Sequence, residues 1–278
     1  MQRVTVRVPA STSNLGPGFD CLGVALRLYN NVVVQRRGSA KPTPMMRAAA
    51  DAFFVRGTVA PFAFSCKVSG DVPVSRGLGS SVTVRLGLLF GLNELAGRPL
   101  TREQLFEICT ALEGHPDNAA PAAFGGFNVS HSAHQQRFAV SSALKFVLLI
   151  PDFEVRTSDA RALLPSRIAR IDAVRSCGNA CAITASFASG DYAKLRGAFA
   201  DGLHQPFRKR LIPFFDAVVA AGEESGALGV FLSGSGSTIA AVTLESSAAV
   251  AAAMRGAADA KAEVIVTTAD NRGAQIFR

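Results

Sequence analysis

Pro73-Val74-Ser75-Arg76-Gly77-Leu78-Gly79-Ser80-Ser81-Val82 is the stretch on which the reading of this chain turns. Its glycines let backbone come close to a ligand. The apolar residues after it recur at helical spacing over 82–95 and stop at Gly97. A helix that starts directly behind such a loop aims unsatisfied N–H groups, and the positive end of its dipole, at whatever sits there. Ser80 and Ser81 add hydroxyls able to bind phosphate oxygen or a Mg²⁺ ion. These are the physical parts of a phosphate cradle, without the Gly-Lys-Ser/Thr ending of the Walker type. A plain glycine-rich turn before a helix reads the same on these residues alone.

Upstream of the loop the pattern is strand-rich. Residues 3–8 alternate, 29–35 are β-branched, and 62–68 alternate again after a helical stretch at 45–55. The segment 38–44, with Gly, Ser, Lys and two prolines, is expected to be a surface loop. Downstream, Thr101 with Gln104 three residues on predicts a capping box for a helix ending near Glu113. Gly125 and Gly126 predict a turn into a strand at 127–130. From 144 onward the expected order is a buried strand at 145–150, a short helix at 158–164, and helices at 168–187 and 192–203. A helix at 213–225, strands at 230–232 and 239–244, a helix at 247–260 and a final strand at 263–267 complete it. Helices and strands do not alternate strictly, which argues for an α+β fold.

The bulk numbers exclude more than they assign. With 278 residues, 18% of them charged and no low-complexity tract, the chain suits a globular protein with a sizeable core. The apolar runs at 28–34 and 144–150 are far shorter than the ~20 residues of a membrane span. The first residues read as a strand rather than a signal peptide, so a cytoplasmic location and no membrane partner are expected. The net charge of +8 is spread along the chain, and the 19 Phe sit among apolar residues rather than between Lys and Arg. That is not the pattern of a nucleic-acid surface. Five scattered cysteines lack metal-ligand spacing and are expected to be buried thiols.

Three further stretches carry polar groups that could do chemistry. Glu113-Gly114-His115-Pro116-Asp117-Asn118 places two carboxylates at a helix end, where they could hold Mg²⁺ and face a hydroxyl. A polar helix terminus with a Pro-Asp turn is the plainer alternative. Residues 9–23, PASTSNLGPGFDCLG, put Asn14 and Asp20 in a glycine-rich loop directly after a strand. Leu232-Ser233-Gly234-Ser235-Gly236-Ser237-Thr238 lies between two strands, as a second anion-facing loop or a tight connection.

Taken in chain order, the polar loop at 9–23, GLGSS, EGHPDN and SGSGST resemble the motif series of the GHMP kinases, and PASTSNLGPGFDCLGVAL with EGHPDNAAPAAFGG resembles the homoserine kinases among them. Residues 155–165 and 204–213 agree. The resemblance implies an N-terminal domain (1–143) like the second domain of ribosomal protein S5 and a ferredoxin-like C-terminal domain (144–278), with the site in the cleft between. It implies that Arg76, Gly77, Leu78, Gly79, Ser80 and Ser81 wrap the phosphates of ATP, and that Ser81 and Glu113 hold Mg²⁺. Asn14, Asp20, His115, Asp117 and Asn118 would surround the amino group and hydroxyl of L-homoserine, Arg161 and Arg208 would hold its carboxylate, and Thr157 would be a further substrate-binding residue. Asp117 would be a substrate ligand first and a base second. The family analogy also suggests a homodimer.

The chain departs from the family pattern in places. Val82, Thr83, Val84 and Arg85 stand where small residues are usual, Ser237 stands in place of a proline, and the 38–68 segment is short. β-Branched residues crowd a helix start and Arg85 brings a charge toward an apolar face, so nucleotide binding is where a difference is expected. The competing readings are a kinase for another small hydroxylated metabolite, or a member that binds a ligand without turnover.

Overall fold

The computed structural model describes residues 2–37, 41–131 and 134–277. The N-terminal half is built on a long antiparallel pair, β1 (Arg3–Ser13) and β2 (Leu22–Arg36). Helix α1 (Pro44–Arg56), capped by Thr43, leads to β3 (Phe64–Gly70), which pairs with the far half of β2. Three helices follow: α2 (Ser80–Leu95), α3 (Arg102–Glu113) and α4 (Ala119–Phe124). The hairpin β4 (Phe127–His131) and β5 (His134–Phe138) closes this half, with β4 against the near half of β2. The loop expected over 38–44 lies partly outside the described residues.

The second half opens with β6 (Lys145–Pro151), α5 (Thr157–Ala162) and α6 (Arg170–Ser189). A short α7 (Gln205–Arg208) and α8 (Phe215–Glu224) precede β7 (Gly229–Leu232) and β8 (Ile239–Thr243). The chain then forms α9 (Ser247–Ala257), β9 (Ala262–Thr268) and β10 (Gln275–Phe277). The four strands of this half run in the order β7-β8-β6-β9, whereas β10 leaves them and joins the first sheet beside β1.

Alternation explains the layers. Val4, Val6 and Val8 of β1, with Val32 and Val34 of β2, face a core shared with Phe53 of α1, Leu86 and Leu89 of α2 and Leu105 of α3. Strand β6 is apolar on both faces because both are covered. Phe146 and Leu148 pack with α6 and the first sheet, and Val147 and Leu149 pack under α8 and α9. The capping box expected at Thr101 is formed, with the Thr101 hydroxyl on the Gln104 N–H and the Gln104 amide oxygen on the Thr101 N–H.

Three expectations need correction. Residues 192–203 do not form a helix. After one 3₁₀ turn at Tyr192–Leu195 the chain meets Gly197, at φ +80°, and turns away. The strand at 263–267 is not the last, since β10 follows it. Of the five thiols only Cys109 is fully buried, and Cys177 and Cys181 are exposed on α6. Among the described residues no helix is long and apolar enough to cross a membrane.

Candidate active site

The four motif stretches meet around one cavity of about 430 Å³ between the two halves of the molecule. Its floor is the loop before α2. Gly79 begins that helix in the left-handed region (φ +69°), and no side chain caps it, so the first N–H groups of α2 stay open toward the cavity wall formed by Ser80 and Ser81. Gly77, at φ +73°, is pressed against the loop between β7 and β8, and a Cβ there would sit 2.2 Å from the Ser233 carbonyl oxygen. Ser233 Oγ donates to the Gly77 carbonyl (2.7 Å) and lies 2.8 Å from Thr12 Oγ1, so the two loops and the end of β1 form one knot. Arg76 also lines the cavity, but its guanidinium is tied to the Pro151 carbonyl (3.0 Å) and lies near Glu154. Leu78 turns its side chain into the core and gives the loop only backbone, its carbonyl accepting the Ser11 N–H.

The end of α3 and the following turn form one wall. Ser81 Oγ donates to Glu113 Oε2 at 3.2 Å, and Arg85 pairs with Glu113 Oε1. Thus the crowded helix start does not delay α2, and Arg85 finds a carboxylate rather than an apolar face. His115 Nδ1 meets Asp117 Oδ1 at 2.7 Å, and the same oxygen accepts the Asn118 N–H at 2.8 Å. Burial works against a charged imidazole, yet the bond and charge of Asp117 prevail and the His115 pKa is raised. Burial would likewise raise the Asp117 carboxyl, but His115, Ser13 and the Asn118 N–H hold it below the ordinary carboxylate range. Asn118 is fixed in turn, its amide nitrogen on Ser13 Oγ (2.9 Å) and its oxygen receiving Ser11 Oγ–H (2.8 Å).

The opposite wall carries both signs of charge. Arg161, at the end of α5, forms a two-bond fork with Asp20 (2.7 and 3.0 Å), the side chains 36% and 32% exposed. Arg208, from α7, is 2% exposed; it donates to the Gly234 carbonyl, and its Nε is buried without a partner. Burial and the nearby Arg161 bring its pKa down to about 10, which leaves it a cation at neutral pH. His204 packs behind it, stacked on Phe19. Burial, with Arg208 beside it, lowers its pKa to about 4, so the ring is neutral. The Gly16 carbonyl at 2.8 Å from Nε2 and the Arg208 donor at 3.4 Å from Nδ1 then fix the proton on Nε2.

Two placements qualify the expected list. Asn14 lines the cavity, but both ends of its amide serve the protein: Nδ2 donates to the Gly234 carbonyl and Oδ1 accepts the Asp20 N–H. It therefore holds the loop shape that presents Asp20. Thr157 is exposed at the rim, 3.4 Å from Ser235 Oγ. Sequence reasoning missed Asp201, whose buried carboxylate accepts the N–H groups of Leu203, His204 and Gln205 (2.6–2.9 Å) and so starts the helix that carries Arg208. The Asp-Gly before His204 is the signal that could have found it. Ser13, Met45, Val74 and Val84 also face the cavity.

Comparison with known proteins places this site in a family. The chain matches the model of the GHMP kinases N terminal domain at residues 44–126 and that of the GHMP kinases C terminal at 183–260. It is 39% identical over 255 residues to a homoserine kinase of Clostridium beijerinckii, covering 86% of both chains. It is 36% identical to one of Caldicellulosiruptor bescii, covering 99% of this chain and 97% of the other. The crystal structure of homoserine kinase from Cytophaga hutchinsonii superposes with a TM-score of 0.89 at 26% identity, over 100% of this chain and 98% of that one. A mevalonate kinase structure, at 12% identity and a TM-score of 0.73, shares the fold. Matched along nearly its whole length by relatives more than a third identical, the chain belongs to the homoserine kinases of the GHMP kinase family.

Proposed function

We propose that this enzyme transfers the γ-phosphoryl group of ATP to the hydroxyl of L-homoserine, giving ADP and O-phospho-L-homoserine, a cytoplasmic step toward threonine. The observation that carries the reading is the facing pair of opposite charges at one end of the cavity. Arg161 and Asp20 neutralise each other there, beside a buried Arg208 with an unused donor. A zwitterion slots into such a site by exchanging partners: its carboxylate takes Arg161 and Arg208, and its ammonium takes Asp20 and Asp117. Asp20, His115 and Asp117 present ligand atoms within 4.8 Å of one another, a spacing that could suit a cation. Their existing bonds to Arg161 and Asn118 make an ammonium group the better match.

At the other end the open N–H groups of α2, Gly77, Gly79 and Ser80 receive the phosphates, and Met45, Val74 and Val84 offer apolar contact to the base. Ser81 and Glu113 fit a Mg²⁺ ion, because they offer hard oxygens 3.2 Å apart beside the phosphate loop. Bound there, Mg²⁺ supplies charge neutralisation on the phosphate oxygens. The protein's own contribution is alignment, holding the acceptor hydroxyl in line with the γ-phosphorus and excluding water. Asp117 is a weak base, since its pKa is held low and His115 and Asn118 share its oxygen. It orients the hydroxyl; as the new bond to the γ-phosphorus forms, the bond from that phosphorus to the oxygen bridging to the β-phosphate breaks to release ADP, and the hydroxyl proton passes to an oxygen of the transferred phosphoryl group.

A coupled ADP-release assay with Mg-ATP tests this directly. Release should depend on L-homoserine and fall by at least ~10²-fold with 3-amino-1-propanol, which keeps the amine and hydroxyl but lacks the carboxylate. ADP release indifferent to homoserine would overturn the reading.

A further inference from the structure

Arg85 sits one helical turn beyond Ser81 on α2 and does not face the cavity. It approaches Glu113 from behind. Its Nη1 is ion-paired with Oε1, while the other oxygen, Oε2, is the one bonded to Ser81 on the cavity side. The pair is well shielded, with the side chains only 17% and 11% exposed. Its electrostatic setting calls for a cation. Glu113 is the last residue of α3, so its charge lies at the negative end of a helix dipole. Cys109, which feels both charges of the pair, is kept neutral by burial. Without Arg85 the carboxylate would be a nearly buried charge with only one hydroxyl partner.

We propose that Arg85 is a resident counter-cation for Glu113, which neutralises and orients the carboxylate in the metal-free enzyme and weakens the site for a free divalent ion. The inference rests on the reading of Ser81 and Glu113 as the metal-facing pair. Holding Oε1 from behind leaves Oε2 and Ser81 Oγ aimed together at the nucleotide. The same fixed positive charge repels a divalent ion in a shielded place, where solvent does little to screen it. Anionic phosphates offset that repulsion. The ion therefore enters with the nucleotide rather than ahead of it, and Arg85 acts as a positioning residue that sets this order.

The probe is Mn²⁺ alone, titrated into nucleotide-free enzyme and followed by the loss of its free electron-paramagnetic-resonance signal. Wild type should bind weakly. Arg85→Met, and Arg85→Gln as a second variant in case the first folds poorly, should bind at least ~10-fold more tightly, with Arg85→Lys close to wild type. Adding Glu113→Gln to either neutral variant should abolish the gain. Unchanged or weaker Mn²⁺ binding in both neutral variants overturns the role of Arg85 and leaves the metal pair standing. Tighter binding that survives Glu113→Gln puts the ion elsewhere, and both readings fall.

Discussion

A guanidinium that is 2% exposed and has a donor without a partner is costly to keep unless a ligand anion completes it. Arg208 should therefore act mainly on homoserine. Arg208→Lys keeps the charge but loses the fork, and is expected to raise the homoserine KM about 10-fold. Arg208→Leu should raise it about 10- to 100-fold, with the KM for Mg-ATP nearly unchanged in steady-state kinetics. The His115–Asp117 pair makes a pH prediction. The His115 pKa is raised, so its contribution to stability is complete below the unfolded value of about 6.5 and fades as pH climbs through the raised one. The Asp117 pKa is lowered, so its contribution is present above about 3.9 and is lost as pH falls through the lowered one. His115→Gln should thus cost most between pH ~4 and ~6.5, on the order of 1–3 kcal/mol, with the gap to wild type narrowing by pH ~9 in thermal melts. At this scale the polar residues of the site could be read as a set, but not their partners. That the Asn14 amide serves the loop, or that Arg85 reaches Glu113, depends on contacts between segments far apart in sequence.

Elements differ in how much of themselves they announce. Helices α2 and α3 have repeating apolar faces and local stop signals, so both were legible. Residues 192–203 carry apolar side chains at helical spacing too, yet Gly197 and Gly202 interrupt them, and Asp201 spends its carboxylate starting α7 instead. Strand β5 reads His-Gln-Gln-Arg-Phe, with no alternation to betray it, because it is an edge strand whose pairing with β4 forms the element. The cradle before α2 is the element most exposed to test. Gly77→Ala forces a Cβ against the Ser233 carbonyl in a left-handed conformation, and is expected to cost about 2 kcal/mol or more in denaturant unfolding. The displaced loop should also raise the Mg-ATP KM far more than that of homoserine. Thr101→Ala, by contrast, should cost about 1 kcal/mol of stability and leave turnover alone.

Across the whole molecule, the site exists only because stretches near residues 14, 79, 115, 161, 208 and 234 converge on one cavity. Their order along the chain was readable. Their convergence was not, because it depends on the core that joins both sheets through Leu26, Phe146 and Phe231. Strand β10 was hidden for a related reason. Three residues pair with β1 and place Ile276 against the first core, too short a run to stand out by pattern. Removing residues from Gln275 onward should cost about 2 kcal/mol and lower the melting temperature by about 4–8 °C. That same strand has a consequence for biogenesis. On the ribosome the first sheet emerges early, but β1 keeps an unpaired edge until β10 is made, since Thr5 pairs with Phe277. At ~5–20 residues per second that interval lasts many seconds, during which the nascent chain carries an open template for wrong partners. Crowded expression should therefore yield aggregates through this edge well before the finished enzyme shows any weakness of its own.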